Sequence, residues 1–180
     1  MNDRQNQIIE AAIPLILGEG VGVSTAAIAK AASVSNGTLF NAFATKQDLI
    51  DSIYLAAKTR MFDALTHSDD APLTHDALHR NWCDYLKWAR GNPHHRQVMH
   101  LLVDAGLVSP TMRAAVNRLG AWFGVWINDA LDRGIIRGPS VDYIARLIFF
   151  HLDLAIEMAL DGNDEALAFD MLCHSIGLSK

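Results

Sequence analysis

Apolar residues recur at intervals of three and four along almost the whole chain, and no stretch alternates apolar with polar as a half-buried strand would. That pattern leaves no room for a sheet and predicts an all-α fold of about nine helices. Small polar residues, glycines and prolines cut it into lengths. Ile8, Ile9, Ala12, Ile16 and Leu17 share one face of a first helix over residues 5–17, which Gly18, Gly20 and Gly22 end. Pro14 removes a backbone donor inside that helix and predicts a bend or an early stop. Ser24 caps a short helix through residue 32, with Ile28 and Ala31 turned inward, and Ser33 and Val34 turn the chain. Ser35 opens another short helix to about residue 43. Thr45-Lys46-Gln47-Asp48 resembles a capping box, with Asp48 shorter than the usual glutamate. The helix it starts reaches about residue 65, with Leu49, Ile53, Ala57, Met61 and Leu65 along one side. Residues 67–73, with Asp69, Asp70 and Pro72, read as a linker. Further helices are expected over 74–90, 93–105, 109–133 and 141–160, and a last one to about 176.

At 180 residues, 51% of them hydrophobic, the chain can bury a substantial core. No run of about eighteen uncharged apolar residues occurs, so no membrane span is expected. The opening MNDRQNQIIEAA lacks the apolar stretch of a signal peptide. Cys83 and Cys173 stand far apart and offer no disulfide framework, which points to a reducing, cytoplasmic setting. A net charge of −5 does not by itself advertise a partner of nucleic acid. Neither an internal repeat nor a low-complexity segment is present.

Two short capped helices with a tight turn between them, over residues 24–43, have the size of a helix-turn-helix. In that device the second helix enters the major groove by its N-terminal residues while the first braces on the backbone. Ser24 and Thr25 would serve the brace; Ser35, Asn36 and Thr38 offer hydroxyl and amide groups to phosphates and base edges. Gly37 permits close approach, Phe40 and Asn41 follow on the same helix, and Lys46 supplies a cation just beyond. Amides at the two helix starts can receive phosphate oxygens without lysine. Leu39 and Phe43 would pack inward. The same spacing also suits a plain three-helix packing unit, and a small solvated surface amide is the plain alternative for Asn41.

From Ile8 to about Ile53 the chain resembles the DNA-binding domain of the tetracycline-repressor (TetR) family of transcriptional regulators. The resemblance is carried by Ile8-Ile9-Glu10-Ala11-Ala12, Gly20, Ile28-Ala29, Ala32, Val34-Ser35, Gly37-Thr38-Leu39, Phe40, Phe43, Lys46 and Leu49. It implies a homodimer that binds a near-palindromic double-stranded operator, usually as a repressor, and releases it when a small molecule occupies the C-terminal domain. The division implied is a DNA-binding domain over 1–48 and a ligand-binding and dimerisation domain over 49–180. Several positions depart from the family pattern. Ser33 stands where a turn glycine is usual, Phe40 replaces a common tyrosine, and Ala42 and Ala26 replace residues that often reach the backbone. Across residues 1–50, Arg4, Lys30 and Lys46 face Asp3, Glu10, Glu19 and Asp48. Since phosphate neutralisation supplies much of DNA affinity, binding that is weak or salt-sensitive compared with a typical relative's is expected. Asn41 then becomes the leading candidate for a base contact, because an amide pairs bidentately with adenine.

The second half is rich in aromatics. Trp82, Tyr85, Leu86, Met99, Trp122 and Trp126 are candidate walls of an apolar pocket, with His100 and His151 as its polar groups. Any single aromatic reads first as core, and His151, in register with Ile144, Ile148 and Ala155, first as a core or interface histidine; the pocket rests mainly on the family resemblance. The helix over 143–160 is apolar nearly all round and needs cover on both sides. Leu147, Phe150 and Leu154, with Phe169 and Leu172 of the last helix, are therefore candidates for a two-fold four-helix interface. His75 and His79 have the spacing of a metal pair but lack a third ligand in register, so no metal is expected, nor any cofactor. No G-x-S-x-G, phosphate loop or H-E-x-x-H occurs, which disfavours an enzyme. The competing reading is a dimeric interaction module on the same scaffold, with DNA binding weak or lost.

Overall fold

The computed structural model describes residues 2–65 and 72–179; residues 67–71 of the expected linker lie outside them. Among the described residues the chain forms ten helices and no strand. They are α1 (Asp3–Glu19), α2 (Thr25–Ala31), α3 (Asn36–Ala42), α4 (Lys46–Ala64), α5 (His75–Gly91), α6 (Pro93–Asp104), α7 (Pro110–Leu119), α8 (Ala121–Asp132), α9 (Val141–Glu157) and α10 (Gly162–Ile176). The chain divides into two compact units, one of Met1–Arg60 with Asn92–Val116, the other of Met61–Gly91 with Asn117–Lys180.

In the first unit α1 packs on α2, α3 and α6 through Ile8, Ile9, Ala12, Ile13 and Ile16, all buried. Each such isoleucine contributes roughly 1.5–3 kcal/mol of burial. The helix begins earlier than expected because Asn2 and Gln5 form a capping box, Gln5 N–H donating to Asn2 Oδ1 at 2.8 Å and Asn2 N–H to Gln5 Oε1 at 3.1 Å. It also runs unbroken past Pro14 to Glu19. Pro14 and Glu10 lie on the exposed face, where water can satisfy the Glu10 carbonyl that the proline leaves free. In α2 the inward arc is Ile28, Ala29 and Ala32, whereas Ala31, expected inside, is exposed. At 100° per residue, position 31 falls outside the arc that 28, 29 and 32 define.

Thr45 and Asp48 cap α4 reciprocally: Thr45 N–H donates to Asp48 Oδ2 at 2.9 Å and Asp48 N–H to Thr45 Oγ1 at 3.0 Å, so the aspartate is long enough. Nearly buried Asp51 accepts from Ser109 N–H at 2.9 Å and from Gln47 Nε2 at 3.1 Å. Gln47 also donates to the Leu107 carbonyl at 2.9 Å, which ties the α6–α7 turn to α4.

In the second unit α9 packs on α5, α8 and α10. Its core joins Trp82, Tyr85 and Leu86 to Phe123, Ile127, Ile144, Ile148, Leu152, Phe169 and Leu172. The single helix expected over 109–133 is two, α7 and α8, interrupted at Gly120. The Phe62 ring occupies the place a Cβ at position 120 would take, so the glycine there accepts the close approach of another helix. Helix α9 stops at Glu157, short of the expected 160, where Ala159 adopts a φ of +50° and reverses the chain.

Candidate functional site

The α2–turn–α3 segment is built from local caps and distant clamps. Ser24 Oγ accepts Ala27 N–H at 3.1 Å, and Ser35 Oγ accepts Thr38 N–H at 3.0 Å. The Thr38 hydroxyl lies 2.9 Å from Ser35 Oγ, so both expected hydroxyls already serve the helix start. Ser33 turns the chain with a φ of +54°; its N–H donates to Lys30 O at 3.0 Å and that of Val34 to Ala29 O at 2.9 Å. Two glutamines of α1 close the far ends of both helices. Gln7 Nε2 donates to Ala32 O at 2.8 Å and Gln5 Nε2 to Ala42 O at 3.2 Å. These orient α2 and α3 by satisfying carbonyls that a helix end leaves over. Nothing in the local sequence signals them.

With Leu39 and Phe43 buried, the remaining face of α3 is turned to solvent: Asn36, Gly37, Phe40 (46% exposed) and Asn41. A Cβ at Gly37 would meet only Ser35 Oγ, at an ordinary 3.7 Å, so the chain's own packing does not require glycine there. Thr25 is half-buried at the start of α2. Half-buried Lys46 spends its ammonium on the Val23 carbonyl at 2.7 Å, holding the start of α4 to the α1–α2 turn.

The expected ligand residues are distributed. Trp82, Tyr85 and Leu86 are buried on α5. Trp82 and Tyr85 line a small cavity of about 20 Å³ together with Leu65, Leu78, Asn81, Phe123, Ile148, Phe149 and Leu152. The Tyr85 hydroxyl donates to Asp153 Oδ1 at 3.1 Å. Half-buried Trp122 and Trp126 flank Phe123, with centroids 5.5 and 6.3 Å from it. His151, half-buried, meets the Phe150 ring edge-on at 6.1 Å, and burial holds its pKa below the ordinary histidine value. Met99 and His100 belong to α6 in the first unit.

Asn81 was not among the expected residues. Its Nδ2 donates to Ala77 O at 3.1 Å, while Asn81 Oδ1 and Trp82 Nε1 are shielded from solvent with no partner among the described residues. The signal was available: positions 78, 81, 82, 85, 86 and 89 form one stripe of α5, and an amide stands in it where an apolar residue belongs.

Along α9, Tyr143, Phe150, Leu154 and Met158 are exposed and Leu147 half-buried on the same side. Phe150 is 62% exposed. On α10 the exposed pair is Leu167 and Met171 (59% and 58%), four apart, whereas Phe169 and Leu172 are buried inside their own unit. The Phe169 ring lies 5.2 Å from His75, 4.8 Å from His79 and 5.5 Å from Trp82, which accounts for the spacing of the two histidines.

Residues 8–53 match the family described as bacterial regulatory proteins, tetR family. The whole chain is similar to a tetR-family transcription regulator from a Shewanella species, at 20% identity, covering 97% of this chain and 98% of that one with a TM-score of 0.83. A TetR-family transcription regulator from Marinobacter aquaeolei matches at 19% identity over 96% of this chain and 95% of that one, TM-score 0.82. AibR, in complex with isovaleryl coenzyme A and operator DNA, matches at 18% identity over 96% and 97%, TM-score 0.70. These similarities extend the fold of such regulators over both units. Residues 8–53 thus carry the match to the tetR family, and the chain as a whole shares the fold of these regulators.

Proposed function

We propose that the protein is a homodimeric repressor of transcription that reads a near-palindromic operator with α3 and releases it when a small, mostly apolar effector enters the second unit. In this reading residues 1–48 recognise DNA, and the residues from 49 on bind the effector and the partner subunit. The observation that carries it is the solvent face of α3. Asn36, Gly37, Phe40 and Asn41 stand clear while α1 holds the C-terminal ends of both helices. Asn41 pairs with a base edge, Phe40 meets a thymine methyl group, and Gly37 lets the duplex backbone come close. Ser24, Thr25, Ser35, Thr38 and Lys46 flank that face. The hydroxyl caps and the Lys46–Val23 clamp order it, so contact to phosphate falls mainly to backbone amides and the salt dependence is shallow.

Dimerisation uses the exposed stripe of α9, Leu147, Phe150, Leu154 and Met158, with Leu167 and Met171 of α10. Phe169 and Leu172 support it from within. AibR, on the same fold, holds an operator and an acyl ligand, which supports a scaffold with both kinds of site. The test is selection of bound duplexes from random sequence at low salt. A two-fold motif with half-sites about 34 Å apart is expected. Recovery of unenriched sequence would sink the operator reading and favour the interaction module.

A further inference from the structure

We propose, resting on the operator reading above, that Glu10, Arg60 and His95 form a proton-operated latch on the DNA-binding unit. Closed at neutral pH, it loosens in acid and weakens the hold on the operator. The three residues stand on different helices of the first unit, α1, α4 and α6, and meet at one carboxylate oxygen. Glu10 Oε1 accepts from Arg60 Nη2 at 2.6 Å and lies 3.3 Å from His95 Nε2, while Arg60 Nη1 abuts that same ring nitrogen. A guanidinium only donates, so the nitrogen it touches must accept. That fixes the neutral ring with its hydrogen on Nδ1 and the Nε2 lone pair toward Arg60. A proton added at Nε2 sets two donors face to face. Arg60 must then withdraw, and Glu10 Oε1 becomes the acceptor of the new N–H. One proton therefore decides which cation holds Glu10.

Burial makes the exchange costly. Glu10 and Arg60 are half-exposed, so their pair alone adds little, but the His95 side chain is only 12% exposed. Burial pushes the His95 pKa down, Glu10 draws it back up, and Arg60 and the adjacent His94 press it down further. These are the charged groups that face the ring from α1, from α4 and from its own helix. His95 also stands in the first turn of α6, where the helix dipole disfavours a cation. A proton therefore favours an arrangement in which the ring reaches water, and that requires α1, α4 and α6 to part. The same helices carry the reading face. Gln5 and Gln7 of α1 hold the C-terminal ends of α3 and α2, and α4 starts at Lys46, clamped to Val23. A shift between α1 and α4 at Arg60 alters the frame that presents α3. Operator and proton then compete, the DNA favouring the closed latch and the proton the open one.

The test uses the full chain and two readouts. The first is the nitrogen NMR spectrum of the histidine rings as pH falls from 7.5 to 5.5, which reads tautomer and titration without DNA. At pH 7.5 the His95 ring should carry its hydrogen on Nδ1. Arg60→Met should return it to Nε2, now donating to Glu10, and should raise the midpoint. A wild-type ring with its hydrogen on Nε2, or a midpoint that Arg60→Met leaves unmoved, overturns the latch. The second readout is operator affinity over the same range for wild type and His95→Gln, whose amide oxygen accepts from Arg60 but takes no proton. Below the midpoint the wild type should lose affinity relative to His95→Gln by up to about tenfold per pH unit for each protomer. The ratio cancels whatever pH dependence the two proteins share, and a ratio that stays constant ends the regulatory role. Should His95→Gln fail to fold, Arg60→Met makes the comparison, and its loss of affinity should begin at higher pH than the wild type's. Failure of selection to find any operator at pH 7.5 ends the operator reading and the affinity claim with it, while the spectrum judges the latch by itself.

Discussion

The two units solve the same problem, holding short helices together, by different means. In the first, side chains reach across elements to backbone carbonyls: Gln5 to Ala42, Gln7 to Ala32, Lys46 to Val23 and Gln47 to Leu107. In the second, Arg90 reaches the Leu160 carbonyl and Tyr85 the Asp153 carboxylate, and rings also meet between helices, with Phe169 against Trp82 and Phe123 against Phe149. Several buried polar atoms there, Asn81 Oδ1 and Trp82 Nε1 among them, have no partner among the described residues. Directional bonds to carbonyls set an orientation to within a few tenths of an ångström, as a surface that must fit a groove requires. Ring packing tolerates repacking, and orphaned polar atoms favour a state in which something satisfies them. The difference suits one unit for presenting a fixed face and the other for accepting a guest.

The largest expected effect breaks the second unit's outer face without touching its inner one. Phe150 is 62% exposed in the protomer, so Phe150→Glu should leave the fold of a single chain nearly as stable as before. In a dimer built on that stripe the carboxylate is buried unpaired, at a cost of several kcal/mol. Light scattering should give twice the chain mass for wild type at micromolar concentration and one chain mass for the variant. A wild type already at one chain mass would remove the interface from α9. Next in size is Asn41→Ala, which should relax base preference by about 1–3 kcal/mol if its contact is bidentate. Lys46→Ala makes the useful contrast. It breaks the clamp on Val23, so it should lower the thermal midpoint and weaken every DNA sequence alike. Equal loss of sequence preference in the two variants would mean that Asn41 positions rather than reads.

How far the sequence could be read differs between the units for a physical reason. Caps are local chemistry, so Ser24, Ser35 and the Thr45–Asp48 pair could be recognised from spacing alone, whereas the helix-turn-helix needed the family resemblance as well, because the same spacing suits a plain three-helix unit. Gln5 and Gln7 could not, since their acceptors lie 37 and 25 residues away. The break at Gly120 was hidden as well: apolar spacing runs on through it, and the Phe62 ring that occupies the site comes from another helix. On α10 two apolar stripes, Phe169 with Leu172 and Leu167 with Met171, are both plausible inner faces. Only packing shows that the first turns inward. Asn81 was legible as an amide in an apolar stripe.

A smaller effect compares the units by pH. In the first, His95 is pushed below the ordinary histidine pKa by burial, with Arg60 adding to the shift and Glu10, 3.3 Å away, opposing it. In the second, burial alone lowers His151. The unfolded chain takes a proton at each as pH falls through about 6.5, while the folded chain resists until its lower value is reached. Stability should therefore be complete above that range and decline as pH drops through it. Urea midpoints at pH 7.5 and 5.5 test this in a window above the titration of ordinary carboxylates. His95→Asn and His151→Asn should each reduce the acid loss. An unchanged difference in both variants would place the sensitivity elsewhere.

The smallest effect applies one substitution to each unit. Ser33 and Ala159 end helices with φ of +54° and +50°, each followed by a residue whose amide reaches five positions back, Val34 to Ala29 and Leu160 to Ala155. The geometry is shared, so the strain should be too. A side chain in the left-handed region costs roughly 1–2 kcal/mol, and glycine gives back about 0.5–1 kcal/mol in chain entropy. Ser33→Gly and Ala159→Gly should each raise the urea midpoint, by about 0.5–1 kcal/mol in stability. Alanine has no polar atom to hydrogen-bond locally in that conformation, so Ala159→Gly should gain the more. Operator affinity gives the second reading. If the left-handed turn merely joins α2 to α3, Ser33→Gly keeps the same α3 face and leaves affinity unchanged. A gain in stability accompanied by a loss of affinity would mean instead that the serine's strain helps set the angle at which α3 is presented.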